Sequence, residues 1–567
     1  MQESKMAMKA RSGGRILVDQ LLVHGADMAF CVPGESYLEV LDALHDSPQI
    51  KLVNSRHEAG AANMADAYGK LTGKPGIAMV TRGPGACQAA VGVHTAYQDS
   101  TPMILLVGQV GRDMMDREAF QEIDYRQMFG PVAKWAAQID LAERIPEYMA
   151  RAFHVATSGR PGPVVLALPE DMLTDMATVP DADPYHSVHA APAAADLERM
   201  MALLANAKRP LALLGGPGWS DAAGTAFRDF AEANDIAVTA GFRRIDAFPN
   251  DSRCYVGEYG TVTTPVLAQR AKDADLLLVV GARMGEMTTQ GYTLLDSPRP
   301  RQKLIHVHAS AEETGRVFNA DLAIQANASA FALAAAKLKP LANRPWAGWT
   351  KEARGQYEAN LVPTPYNGPL DMGVALRELA KELPAAFTVT VDAGNHTGWP
   401  HRYLTYKRPA RFVGPTSGAM GYSVPAAVAA SLVHPDRLVI GCVGDGGFMM
   451  SGQEIATALQ HGGMPIILVF NNRIYGTIRM HQEREHPGRV VGTDLVNPDF
   501  AAFARALGCH GETVEKTEEF LPAFRRAVAA KKPAVIELKT DPELISTRTT
   551  ITAIREAALK RQKEAAK

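Results

Sequence analysis

Several chemistries are excluded by what this chain has little of. Its five cysteines, Cys31, Cys87, Cys254, Cys442 and Cys509, are scattered, form no CxxC pair and are odd in number. They do not make a disulfide framework or a zinc ribbon, and they fit reduced thiols of a cytosolic protein. Net charge is almost nil, 59 Lys and Arg against 61 Asp and Glu, so there is no basic footprint for nucleic acid. No apolar run approaches the ~20 residues that cross a bilayer. The opening MQESKMAMKARSGGR lacks the apolar core of a secretory leader. The expectation is a soluble, cytoplasmic protein with no nucleic-acid or membrane partner. No GxGxxG opens a helix in the first third with an acidic residue at the right distance, which ranks a nicotinamide oxidoreductase low.

What the chain does have is apolar material for several cores, 47% of its 567 residues, and a length that suggests about three to four domains. Short β-rich runs alternate with amphipathic helical stretches, the pattern of parallel sheets covered by helices. Met28 to Val32, Ile77 to Val80, Met103 to Val107 and Val164 to Leu168 read as strands of a first block, with a helix over Ile16 to Leu22. A second block offers Leu211 to Leu214, Ile236 to Val238, Leu276 to Val280 and Leu304 to Val307. A third offers Phe387 to Val391, Leu438 to Val443, Ile466 to Phe470 and Ala534 to Leu538. VPDADPYHSVHAAPAAA, Val179 to Ala195, reads as an extended linker, and a second break falls in the Pro-punctuated region from Pro340 to Pro369. The fold class is therefore α/β, three doubly wound parallel-sheet domains. Lys560 to Lys567 reads as a solvated helical tail.

The most informative stretch is GDGGFMMSGQEIATALQHGGMPIILVFNN, Gly444 to Asn472. Asp445 stands in a Gly-rich turn after an apolar strand; a helical segment and a second apolar strand follow, ending in two asparagines. The spacing of Asp445 and Asn472 is about one strand-to-strand crossover. It would put two hard oxygen ligands at the carboxyl ends of neighbouring strands, where α/β sheets collect ligands. Gly446 and Gly447 leave backbone N–H groups for phosphate at a helix N-terminus, and a magnesium diphosphate is the natural occupant.

This stretch resembles the metal-diphosphate motif of thiamine diphosphate (ThDP) enzymes. RHEAGAANMADAYGK (Arg56 to Lys70), TRGPGACQA (Thr81 to Ala89) and YQDSTPMILLVGQV (Tyr97 to Val110) look like the pyrimidine-binding domain of the acetolactate synthase group. GRPGPVVLALPEDM and TSGAMGYSVPAAVAAS extend the match over nearly the whole chain, more loosely in the second block. The resemblance implies a pyrimidine-binding domain over 1–180, a central Rossmann-like domain over 195–340 and a diphosphate-binding domain over 365–567. It also implies thiamine diphosphate and Mg2+ as cofactors.

By the same resemblance, Glu58 is the glutamate that activates the cofactor, an acid bonded to the aminopyrimidine; an apolar setting such as Ala59, Ala61 and Ala62 suits that task. The plainer reading of Glu58 is a helix-start carboxylate. Asp445, Asn472 and the Ile474 carbonyl would hold the metal. Gly394, Asn395, His396, Gly446, Gly447, Tyr475 and Gly476 would surround the diphosphate, although His396 also fits a loop histidine. Met420 would lie beneath the cofactor and bend it, and otherwise would be core filler; the Gly418 carbonyl would meet the amino group. Phe120 and Gln121 would line the substrate channel, with Gly34 near the thiazolium and Pro84 and Gln88 flanking the site. Arg82 and His94 fit the active-site mouth or a structural role.

The implied activity is decarboxylation of a 2-oxo acid, pyruvate or a relative, with joining of the product to a second carbonyl compound. The alternative is a non-ligating decarboxylase of the benzoylformate type. Family members place the active site at a subunit interface, so a homodimer or homotetramer is implied. A catalytically silent relative has no chemical need for Glu58, Asp445 and Asn472 together. Three departures stand out. Glu170 replaces the lysine of the family's LP-x-D turn, and His481 stands where an acceptor-selecting tryptophan is expected. The second block has Gly281-Ala282-Arg283-Met284-Gly285-Glu286-Met287, then His306 and His308, in place of the FAD-binding pattern. FAD is thereby disfavoured, although Gly215-Gly216-Pro217-Gly218 could face a phosphate.

Overall fold

PVVLALP, Pro163–Pro169, is buried at all seven positions and shows why the strands form here: branched apolar residues suit a parallel strand covered on both faces. The computed structural model describes residues 9–565; most of the segment read for a leader and the last two tail residues lie outside them. The chain divides into two compact units at Val188/His189, within the segment expected to be a linker, which carries no helix or strand from 178 to 193.

The first unit holds one six-stranded sheet. Its strands are β1 (Met28–Cys31), β2 (Lys51–Asn54), β3 (Gly76–Val80), β4 (Met103–Gln109), β5 (Trp135–Gln138) and β6 (Pro163–Pro169). They lie in the order β2-β1-β3-β4-β6-β5, all parallel. The second unit holds two more such sheets. In the central domain β7 (Pro210–Leu214), β8 (Ala237–Ala240), β9 (Tyr255–Glu258), β10 (Leu276–Val280), β11 (Lys303–His308) and β12 (Leu322–Gln325) run β9-β8-β7-β10-β11-β12. That is the Rossmann order. In the C-terminal domain β13 (Phe387–Val391), β14 (Arg411–Val413), β15 (Leu438–Gly444), β16 (Ile466–Asn471), β17 (His510–Val514) and β18 (Ala534–Lys539) run β14-β13-β15-β16-β18-β17, the same plan as the first sheet.

Each sheet has an interior switch point where the chain turns to build the other half of the sheet, and ligands of open α/β sheets bind at such points. In the first sheet it lies between β1 and β3, which lead into Gly34 and into Thr81 to Pro84. In the last it lies between β13 and β15, which lead into Asp392 to His396 and into Asp445. Topology alone thus points at most of the loops singled out from sequence.

Two expectations need correction. Four strands were read in each block, and each sheet has six; the missing ones are the edge strands. The supposed break from Pro340 to Pro369 contains a helix, Ala347–Asn360, which buries Thr350, Ala353 and Tyr357. Trp346 anchors its start by donating Nε1–H to Asn234 O (2.9 Å), and the Tyr357 ring meets Tyr255 edge-on at 5.0 Å. The prolines flank this helix and do not interrupt it.

Within the second unit the central and C-terminal domains share one apolar cluster that includes Phe248, Tyr255, Tyr406 and Phe412. Asn250 and Tyr406 exchange bonds, Asn250 N–H to Tyr406 O and Tyr406 N–H to Asn250 Oδ1, both 2.8 Å. Buried Asp246 takes a bond from Arg411 Nε at 2.9 Å. It stays ionised below the usual aspartate range: burial opposes the charge, but Arg411 and Arg408 outweigh it. Among the described residues, no helix is long and apolar enough to cross a membrane.

Candidate functional site

At the switch point of the C-terminal sheet lies a cavity of about 290 Å3. It is lined by Gly394, Asn395, His396, Gly418, Met420, Asp445, Gly446, Gly447, Asn472, Ile474, Tyr475 and Gly476. Every residue expected on the diphosphate and metal side is therefore brought to one place. The reason is the parallel pairing of β13, β15 and β16, whose carboxyl ends release residues 392–396, Asp445 and Asn472 side by side. No separate turn precedes the acidic residue: Asp445 is the first residue of a short helix, Asp445–Ser451. Gly394 sits at φ 141°, a region open to glycine but not to residues with a Cβ.

Asp445 is buried, 3% exposed. Its Oδ1 accepts from Gly446 N–H (2.9 Å), and its Oδ2 accepts from Arg473 N–H (2.7 Å) and Asn497 Nδ2 (2.8 Å). Gly446 N–H, expected to serve phosphate, is directed at this carboxylate. The donors are neutral amides and do not cancel the cost of burial, which pushes the Asp445 carboxyl above the usual aspartate value. A cation would supply the missing compensation. Asn472 lines the same cavity, with its Oδ1 accepting Ile474 N–H at 3.2 Å. A carboxylate, an amide oxygen and a backbone carbonyl are hard donors that suit Mg2+. Among the described residues there is no cluster of three His, Cys, Asp or Glu side chains arranged for a metal, so a site here has to be of this mixed kind.

Residues not foreseen complete the wall. Leu370, Met372, Trp399, Phe470 and Ile545 make it apolar, and Thr477, Thr540 and Asp541 add polar groups. Thr477 Oγ1 donates to Asn395 Oδ1 at 3.0 Å, and Tyr366 donates to Asp541 Oδ2 at 2.7 Å. Asp392 lies behind them, with its Oδ1 2.9 Å from His396 Nε2 but not aligned for a hydrogen bond, so that both atoms stay unpartnered. An acidic residue at a strand end was the available sequence signal for Asp392.

The first unit assembles its own set. Glu58 opens the helix α1 (Glu58–Thr72), and the His57 cap takes Ala59 N–H on Nδ1 at 3.1 Å. Both readings of Glu58, cofactor-activating acid and helix-start carboxylate, are compatible with this half-buried place. A Cβ at Gly85, in the first turn of α2 (Gly83–Asp99), would begin 3.4 Å from Glu58 Oε1. Gly34 backs onto Thr81, where a Cβ would come within 2.5 Å. Gln121, at φ 66°, accepts Gly83 N–H on its carbonyl at 2.9 Å. Phe120 is 73% exposed, and Pro84 and Gln88 are exposed on α2. Arg82 is taken up by an ion pair with Glu170, so the departure at Glu170 gives that arginine a structural partner.

At the central switch point the two glycine turns close on each other: a Cβ at Gly216 would lie 1.9 Å from Gly281 O. His306 Nε2–H donates to Ala282 O at 2.9 Å, and burial lowers its pKa to about 4, leaving it neutral near pH 7. The remaining cavity beside Arg283, Tyr292 and His306 is about 70 Å3.

Comparison with known proteins agrees with this geometry. Residues 11–128 match the thiamine pyrophosphate enzyme N-terminal TPP binding domain, residues 197–335 the central domain and residues 392–538 the C-terminal TPP binding domain. The acetolactate synthase large subunit of Corynebacterium glutamicum is 31% identical over 551 residues, covering 94% of this chain and 87% of that protein. The isozyme 2 large subunit of Escherichia coli is 30% identical over 539 residues, covering 94% and 96%. The mitochondrial acetolactate synthase catalytic subunit of Saccharomyces cerevisiae is 29% identical over 585 residues, covering 96% and 84%. With all three family domains in order along its length, the chain belongs to the thiamine pyrophosphate enzymes.

Proposed function

We propose that this protein is a ThDP- and Mg2+-dependent carboligase of the acetolactate synthase kind. It would decarboxylate pyruvate or a related 2-oxo acid and join the remaining fragment to a second carbonyl compound. The observation that carries the reading is the buried Asp445 carboxylate facing a cavity together with Asn472, Ile474 and the Gly394-Asn395-His396 loop. The full-length similarity to acetolactate synthases supports the choice of substrate class.

Thiamine diphosphate, when bound, supplies a thiazolium carbon that adds to a keto carbonyl and takes up the electrons freed with carbon dioxide. The protein's part is placement. Asp445, Asn472 and the Ile474 carbonyl hold the metal. Asn395 and His396, with the Gly447 amide, grip the diphosphate. Met420 and the Gly418 carbonyl, which line the same cavity, would support the ring system and receive its amino group. Glu58 holds a proton at the pyrimidine nitrogen opposite that amino group, and Gln121 and Phe120 line the way in for substrate. Two copies complete the site, Glu58 coming from one and the diphosphate cavity from the other; the working unit is a homodimer or a pair of them.

Incubation with pyruvate, ThDP and Mg2+ followed by product identification tests the reading. Acetolactate is the expected product. Carbon dioxide and free aldehyde without acetolactate would replace the carboligase with a non-ligating decarboxylase of the benzoylformate type.

A further inference from the structure

We propose that Arg243, a residue of the central domain, is a positioning residue for the two cofactor loops of the C-terminal domain; the inference rests on the function proposed above. Arg243 follows β8, is 2% exposed and is held at φ 62°. A non-glycine residue keeps that backbone only where its surroundings enforce it. Its guanidinium leaves its own domain. Nη2 donates to the carbonyl of Asp392 at 2.7 Å, the peptide that opens the Gly394-Asn395-His396 loop. A Cβ on Gly414 would begin 3.2 Å from Arg243 Cδ and 3.4 Å from Nη1, so the same side chain also walls the segment leading to Gly418 and Met420. Asp392 carries the link onward, its Oδ2 accepting Gly421 N–H at 3.1 Å, next to Met420. One guanidinium therefore braces both loops.

The guanidinium has a built seat. Glu258 Oε1 accepts Arg243 N–H at 2.8 Å, and Glu258 Oε2 lies 2.5 Å from His401 Nδ1. His401 Nε2 lies 3.3 Å from Arg243 Nη1. Arginine only donates, so His401 Nε2 accepts, its proton is on Nδ1, and Nδ1–H donates to Glu258. Glu258 and His401 are both 4% exposed. The Arg243 main-chain N–H, Glu258, His401 and the Arg243 guanidinium thus close a ring of bonds that fixes the buried fork in one orientation. Simple docking of the domains has its own contacts, Asp246 with Arg411 and Asn250 with Tyr406. Arg243 adds a bond to the cofactor loop itself. Lysine offers a point charge and no planar fork, so it cannot meet the carbonyl and the imidazole together.

The test is titration of the full-length chain with ThDP and Mg2+, followed by tryptophan fluorescence, since Trp399 lines the cavity. Arg243→Lys should bind ThDP about tenfold more weakly and Arg243→Ala more weakly still, the scale seen for outer-shell partners of a bound group. Guanidinium chloride at tens of millimolar should restore part of the Arg243→Ala affinity. Asp246→Asn should lower the melting temperature and leave ThDP affinity within about twofold, as expected for a residue with no bond to the loop. The proposal is overturned if folded Arg243 variants bind ThDP like the wild type, or if Asp246→Asn weakens binding as much as Arg243→Ala. Collapse of the Arg243→Lys fold would also overturn it, by making the residue a determinant of stability. A wild-type chain that bound no ThDP would instead sink the function on which the proposal rests.

Discussion

Arg555 holds Glu483 with a two-pronged grip: Nε donates to Oε2 at 2.8 Å and Nη2 to Oε1 at 2.5 Å. Glu483 belongs to the helix α3 (Gly476–Glu485), whose first turn lines the cofactor cavity. Arg555 belongs to the last helix, α4 (Ile551–Ala565). The pair fastens the end of the chain to the wall of the site. The Arg555 fork, with further help from Gly488 N–H and Arg479, lowers the Glu483 pKa from its ordinary 4.5 to about 2. A depressed acid stabilises the folded state above its unfolded pKa, and the contribution fades as pH falls toward the folded one. Between about pH 4.5 and 2, α4 should loosen, seen as faster amide exchange over 551–565. Glu483→Gln should loosen it at neutral pH and remove that acid-dependent step; an unchanged step in the variant would reassign it to another group.

Asn497 reaches Asp445 Oδ2 with the same amide nitrogen that reaches Asn471 Oδ1, at 2.8 and 3.0 Å. Asn497→Ala should free the carboxylate to wander and weaken Mg2+ roughly tenfold to a hundredfold. Magnesium dependence of ThDP binding reads this directly. A metal affinity equal to the wild type would show that the strand ends alone orient Asp445.

Glu58→Gln keeps the size and the helix-start position but cannot exchange a proton. Turnover should fall by about a hundredfold to ten-thousandfold, while ThDP binding on the diphosphate side persists. Stopped-assay rates beside a binding titration separate the two effects; full activity in this variant would return Glu58 to the role of a helix-start charge.

Gly394→Ala places a Cβ 2.7 Å from His396 Nδ1 in a backbone region that alanine avoids. The strain is of order 1–3 kcal/mol, and His396 has to swing away. Weaker ThDP binding is expected together with a lower melting temperature. Unchanged values for both would mean that the loop has slack the geometry does not suggest.

What was legible in the sequence follows from burial. Interior strands such as β15 and β16 are covered on both faces and are written as unbroken apolar runs, so they were read nearly to the residue. Edge strands have one neighbour, and three of them only partial cover: Lys51–Asn54 and Leu322–Gln325 expose alternate or terminal residues, and His510–Val514 mixes polar and buried positions. Nothing in their composition separates them from loops. The helix Ala347–Asn360 was hidden by flanking prolines and by a surface that packs through only a few residues. At the site, Asp445, Asn472 and the glycines were visible because they share a spaced motif. Asn497, Asp392 and Arg243 were not, since each acts from a different loop and only the folded chain brings it to its partner.

The Asp246 ion pairs bear on how this protein can be dissected. Asp246 is 5% exposed as a side chain and faces Arg411 and Arg408, which are 16% and 10% exposed. Excising the middle third of the chain would strand those two cations, and His401 with them, against apolar surface. Losing one partner of a buried pair typically costs about 3–5 kcal/mol. The C-terminal third should therefore come out insoluble when expressed by itself, and a trimmed version will need Arg408 and Arg411 recoded before it can stand alone.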